Sequence, residues 1–269
     1  MADIALRHWQ DMTTGQAATL AESDPVVVLP VAAIEQHGPH LPLSTDYDIG
    51  IGLLEAAARE LEPDFPLWML PPMAVGASME HQDFAGSLSL DPELAIATIR
   101  QYGAAVARAG VRRLVLHNSH GGNRQVLDLA GLYLRRDHGL LVVKANYFRT
   151  PLPDDLGLSA AELRHGLHGG TIETAMMLHL RPDAVDMAQA TTAVSLGQTL
   201  ERDLRRVGPG GDASFSWMAQ DLNAAGVVGD ALRADPALGE LLVAHYAAAL
   251  ADVLRDARDF PLASLGSEG

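Results

Sequence analysis

Short apolar runs alternate along this chain with longer segments of helical periodicity, and that rhythm constrains the fold more than any other feature. Val26 to Leu29, Leu114 to Leu116 and Leu141 to Val143 are strand-length and rich in valine, whereas Leu94 to Ala109 and Arg124 to Arg136 carry apolar residues at helical spacing. Strands separated by helices are joined by crossovers and run parallel. The expectation is a layered α/β sandwich, with a mostly parallel central sheet flanked by helices. At 269 residues the chain can bury a sizeable core, and no internal repeat or clear linker divides it, so residues 1–269 are read as a single domain.

Composition narrows the class of function. Asp and Glu total 34 against 19 for Lys and Arg, a formal charge of −15, which opposes binding to a phosphate backbone, so no nucleic-acid partner is expected. The acidity reads as a solvated surface. There is no cysteine, so any metal must be held by nitrogen and oxygen ligands. The opening MADIALRHWQDMTT lacks the basic and then apolar organisation of a signal peptide, and no apolar run reaches membrane-spanning length. A cytoplasmic location without a membrane partner is the expectation.

Polar residues and glycines gather where predicted strands end. Val111 to Leu116 runs into His117-Asn118-Ser119-His120-Gly121-Gly122-Asn123, and in open α/β sheets ligands bind at that edge. Glu35-Gln36-His37-Gly38-Pro39-His40 follows the run ending near Val31, and Asp46 comes soon after. In an extended backbone Glu35 and His37 share a face, so each can hold a neighbouring ion, and a carboxylate such as Asp46 can bridge the pair. Two ions roughly 3.5 to 4 Å apart activate water and polarise a carbonyl. Carboxylate and imidazole ligands suit Zn, Mn or Fe.

Pro151 to Gly170 reads as a long loop and leads into a helix from Thr171 to Leu180, with Glu173 in its first turn and His168 just before it. Gly208 to Ser216 reads as a Gly-rich turn, and Leu238 to Ala257 as a closing amphipathic helix. Each motif also has a plainer reading. A Glu and a His two apart on a strand commonly mark a solvated face, Gly121 and Gly122 fit a tight turn, and Glu173 fits a dipole cap. His120 is left unexplained by all three. Asn118 and Asn123 are read as fixing their loop through backbone hydrogen bonds.

With these clusters in hand, the chain resembles the creatininase (creatinine amidohydrolase) family from near Val26 to about Asp186. The resemblance is carried by Leu29-Pro30-Val31 through Glu35-Gln36-His37-Gly38-Pro39-His40-Leu41-Pro42 to Thr45-Asp46, by Ser119-His120-Gly121-Gly122-Asn123, and by His168-Gly169-Gly170-Thr171-Ile172-Glu173-Thr174. Gly76-Ala77-Ser78-Met79-Glu80-His81 is similar to the family's substrate-side loop, and Gly229 with Asp230 to its C-terminal signature. The resemblance implies two divalent ions per chain, one held by Glu35 and His120, the other by His37 and Glu173, with Asp46 bridging. It further implies a bridging water as nucleophile, His168 as general acid or base, and Ser78, His81, Gly121 and Tyr147 on the substrate side. A closed homo-oligomer, commonly a hexamer, is implied as well.

Departures from the family bear on the substrate. Creatininases read His-Tyr-Glu-Asn where this chain has His120-Gly121-Gly122-Asn123, and place tryptophans where Tyr147 and Arg164 stand here. The His-Gly-Gly-Asn form is shared with members acting on a formamide in flavin and deazaflavin synthesis and on a peptide in mycofactocin maturation. A small-molecule substrate with a cyclic amide or formamide bond is the leading expectation, and cleavage of a short peptide is the second. A metal-stabilised binding protein without chemistry is the third. Arg149 or Arg164 either pairs with an anionic substrate group or faces water.

Overall fold

The computed structural model describes residues 6–210 and 212–266. Residues 1–5 of the opening stretch and Gly211 of the Gly-rich turn lie outside the described residues. Five strands form the central sheet: β1 (Arg7–His8), β2 (Val26–Val31), β3 (Leu67–Met69), β4 (Arg113–Asn118) and β5 (Leu141–Asn146). Their order is β1-β3-β2-β4-β5, and every pairing is parallel. The register of the two central strands runs from Val26 opposite Arg113 to Val31 opposite Asn118.

Alternation along these strands builds two cores. Val27, Leu29, Val31, Leu114 and Leu116 face helices α3 (Pro92–Arg108) and α4 (Arg124–His138), while Val26, Val28 and Val115 face α2 (Thr45–Glu60) and the long helix Pro236–Asp259. Because both faces are covered, the central strands read as unbroken apolar runs rather than alternating ones. A third cluster, including Ile49, Leu53, Met176, Met177, Leu242 and Tyr246, ties α2 and Pro236–Asp259 to α6 (Thr171–Leu180). The layered sandwich and its parallel sheet are as expected.

Three local expectations need correction. The stretch Pro151 to Gly170 contains a helix, α5 (Ala160–His165), started by Ser159, whose hydroxyl accepts the backbone N–H of Glu162 at 3.0 Å. The edge strand β1 and its neighbour β3, paired on both sides, were not expected, because they are too short to carry a periodic pattern. Pro236–Asp259 is long and apolar enough to cross a membrane by length and composition. In this fold its apolar stripe, including Leu242, Tyr246, Leu250 and Leu254, is buried against α2 and α6.

The C-terminal ends of β2 and β4 lie side by side, and the chain leaves each of them carrying polar residues: Glu35 and His37 beyond β2, His120 beyond β4. The first turns of α2 and α6 bring Asp46 and Glu173 to the same place.

Candidate metal centre

Each potential ligand is held from behind by the backbone. The Nδ1 of His37 lies 3.1 Å from the carbonyl of Glu35, which fixes the proton there and leaves Nε2 as a bare lone pair. In His120 the arrangement is reversed: Nε2 lies 3.1 Å from the carbonyl of Ala77, so Nδ1 is the free nitrogen. The hydroxyl of Ser78 donates to Oε2 of Glu35, turning Oε1 into the site. Glu173 accepts the Gly169 N–H at 2.6 Å through Oε2, as the capping reading expected, and stands within reach of His37.

These atoms converge on two adjoining positions. Glu35, Asp46 and His120 offer ligand atoms within 4.8 Å of one another, and so do His37, Asp46 and Glu173. Asp46 belongs to both sets, with Oδ2 3.2 Å from His120 Nδ1 and Oδ1 3.4 Å from His37 Nε2. Glu35 Oε1, His37 Nε2 and Asp46 Oδ2 are buried without a hydrogen-bond partner. Three orphaned donor atoms in one place would cost several kcal/mol together in a folded protein unless a ligand took them up. The residues fit divalent ions held by nitrogen and oxygen.

The electrostatics agree. Burial opposes a charge on His37, but the carboxylates of Asp46, Glu173 and Glu35 outweigh it and push the imidazole up to about 9. His120 is likewise raised, against its burial, by Glu35 and Asp46. Asp46 is held well below the usual carboxylate range by the two imidazoles despite complete burial. Protons therefore occupy the places that cations fit. His168 goes the other way: burial and the neighbouring charge on His37 lower it.

Residues behind the ligands hold the loops. Asn118 accepts the His120 N–H through Oδ1, and Asn123 binds both the N–H of Ala77 and the carbonyl of Ala32. A Cβ at Gly122 would meet the Glu80 carboxylate and stand 2.7 Å from the Ala77 carbonyl, so glycine is required there. Glu162 is buried and accepts the N–H groups of Thr171 and Asp230, each at 2.7 Å, clamping the entry of α6.

A cavity of about 480 Å³ opens onto the ligands. Gly121, Tyr147, His81 and His168 line it, whereas Ser78 does not: it is wholly buried behind Glu35. His81 is buried rather than solvated. Gln36, its amide oriented by the Gly38 N–H and the Gly226 carbonyl, donates to His81 Nδ1 at 2.9 Å, so His81 carries its proton on Nε2, 3.3 Å from Glu35 Oε1. His168 places Nε2 2.7 Å from the Gln36 carbonyl and Nδ1 3.7 Å from Glu35 Oε1. His168 also forms a third possible ligand set with Glu35 and His37. Sequence reasoning missed Glu80 and Trp217, both on the cavity wall. Arg164, expected either at a substrate anion or in water, is exposed and pairs with Glu201 at the surface.

Residues 10–254 match the family model described as creatinine amidohydrolase. The chain belongs to the creatininase family. Among relatives of known activity, a mycofactocin precursor peptide peptidase from Mycobacterium ulcerans is 34% identical over 87% of this chain and 86% of its own length. A creatinine amidohydrolase from Pseudomonas putida is 30% identical over 63% of this chain and 70% of its own. A solved creatininase described as a manganese form superposes with a TM-score of 0.73 at 25% identity, covering 96% of this chain and all of the other. The creatininase fold therefore accounts for the mostly parallel sheet flanked by helices.

Proposed function

We propose that this creatininase-family hydrolase is a two-metal amidohydrolase that cleaves the C–N amide bond of a short peptide or peptide-like substrate. One observation carries the reading: Asp46 is shared by two adjoining ligand sets, with Glu35 and His120 on one side and His37 and Glu173 on the other, and Glu35 Oε1, His37 Nε2 and Asp46 Oδ2 are buried there without partners. When bound, a pair of divalent ions supplies a water of lowered pKa and polarises the amide carbonyl. Solved relatives described as a manganese form and a zinc-zinc form match this fold, at 25% and 26% identity, and support Mn or Zn as the ions.

The chain's own residues do the rest. His168, neutral through burial and with Nε2–H committed to the Gln36 carbonyl, keeps a free lone pair at Nδ1 facing the site. It takes a proton there and returns it to the leaving nitrogen. His81, with Nε2 3.3 Å from Glu35 Oε1, lines the cavity beside that carboxylate. Phe148, Leu152, Ile172 and Trp217 cover part of the wall and exclude water.

A cavity of about 480 Å³ is in the range that holds a drug-sized ligand and exceeds the need of one small planar ring, which supports a peptide. The peptidase relatives support it as well. A cyclic amide or formamide is the second reading, supported by the creatinine amidohydrolase relative. A panel of short peptides, formamides and cyclic amides, assayed with zinc- and manganese-loaded protein, tests both. Turnover of peptides alone supports the first, turnover of small amides alone the second, and turnover of neither favours a non-catalytic binding protein. His168→Ala is expected to keep its metal and lose turnover; lost metal would reassign His168 as a ligand.

A further inference from the structure

Two buried tyrosines with idle hydroxyls separate the metal cavity from a second one. Tyr147 and Tyr246, 8% and 4% exposed, pack with ring centroids 5.1 Å apart and line both the metal cavity and a neighbouring cavity of about 420 Å³. Among the described residues neither phenol oxygen has a hydrogen-bond partner. Burial raises both phenols, Tyr246 to about 12, so each presents an O–H donor at neutral pH.

Two cations complete the junction. Arg124 lines both cavities and Arg149 the second, and among the described residues neither reaches a carboxylate. Both are exposed, and nine of the other sixteen arginines pair with a carboxylate elsewhere on the chain. The other charged pair at the second cavity, Lys144 with Asp128, is satisfied internally. The unpaired groups of the lining are mostly donors, the two guanidiniums and the two phenols, against one unpaired acceptor, Nδ1 of His117, and a preponderance of donors fits a group that accepts and is negatively charged.

We infer that this second cavity is a carboxylate-recognising subsite, in which Arg124 and Arg149 anchor the acid group of an amide substrate while its scissile bond lies at the metal ligands. Tyr147 and Tyr246 donate at the junction. The inference rests on the amidohydrolase reading and narrows its substrates to amides that carry a carboxylate, of which a peptide with a free C-terminus is the simplest.

The test measures binding of phenylbutyrate, phenylbutanol and inorganic phosphate to the zinc-loaded protein by calorimetry. None of these contains an amide, so binding is read apart from turnover. The acid is expected to bind roughly tenfold or more tightly than the alcohol, as charge-assisted hydrogen bonds require. The double variant Arg124→Gln with Arg149→Gln should erase that preference, and Tyr147→Phe or Tyr246→Phe should reduce it several-fold. Equal binding of acid and alcohol overturns the subsite. So does a preference that survives the double variant but vanishes in Asp46→Ala, because the acid then sits on the metals. Phosphate binding more tightly than the acid through the same arginines overturns the carboxylate assignment. Amide hydrolysis without a carboxylate preference overturns the subsite and leaves the amidohydrolase; carboxylate binding without hydrolysis of any amide does the reverse.

Discussion

His37 turns its bare Nε2 toward Oδ1 of Asp46 at 3.4 Å, and both side chains are buried. Without an ion between them, that facing pair is relieved only by a proton on the imidazole, which the raised pKa near 9 expresses. Metal and proton thus compete for one nitrogen. A folded-state value above the ordinary 6.5 contributes stability that is fully present below about pH 6.5 and is lost as pH rises through about 9. The metal-free protein should therefore lose thermal stability between those values, while metal affinity increases across the same window as the proton leaves. Melting curves of metal-free and zinc-loaded protein at a series of pH values check both. A metal-free midpoint that rises through this window would count against the pairing.

Ser78→Ala should weaken the Glu35 side of the centre without touching substrate. Removing the hydroxyl leaves Glu35 Oε2 buried without its donor, at a cost of about 1–3 kcal/mol. Titration with zinc is expected to show one of two binding events shifted to weaker affinity. Unchanged metal binding with a raised KM would instead restore Ser78 to the substrate side.

Gly122→Ala should destabilise the chain by about 1–3 kcal/mol, because the new methyl group meets the Glu80 carboxylate and the fixed Ala77 carbonyl. Urea denaturation measures this directly. The same substitution at Gly121, where an added Cβ would meet nothing within 4 Å, is the control and should cost little.

Glu162→Gln should cost about 2 kcal/mol, since an amide can accept only one of the two backbone N–H groups that the carboxylate now holds and turns its own donors toward the other. Hydrogen exchange should rise at Thr171 and Asp230 more than elsewhere. Uniform exchange would mean that the clamp acts on global stability alone.

The sequence made the architecture and the candidate ligands legible for different reasons. Val26–Val31 and Arg113–Asn118 are buried on both faces, so their unbroken apolar runs mark them, and the motifs beyond them fall at strand ends where the fold converges. The two-residue strand Arg7–His8 and the three-residue Leu67–Met69 leave no such pattern, and α5 rests on a single Ser cap inside a polar stretch. Glu80, Glu162 and Trp217 were invisible because their roles depend on contacts across the fold. Ser78 was expected on the substrate side, whereas its hydroxyl supports Glu35 from behind, a role that depends on a contact across the fold. Gly122 beside Glu80 is the kind of pairing that spacing cannot reveal.

The central claim is that one carboxylate holds two ions. Elemental analysis of protein purified without chelators, for the parent, Asp46→Ala and the more conservative Asp46→Asn, tests it most directly. The account predicts about two equivalents of Zn or Mn per chain in the parent and loss of both in the variants, because each ligand set contains Asp46. A parent that takes up no metal even after incubation with zinc or manganese, or variants that still hold two equivalents, would contradict it.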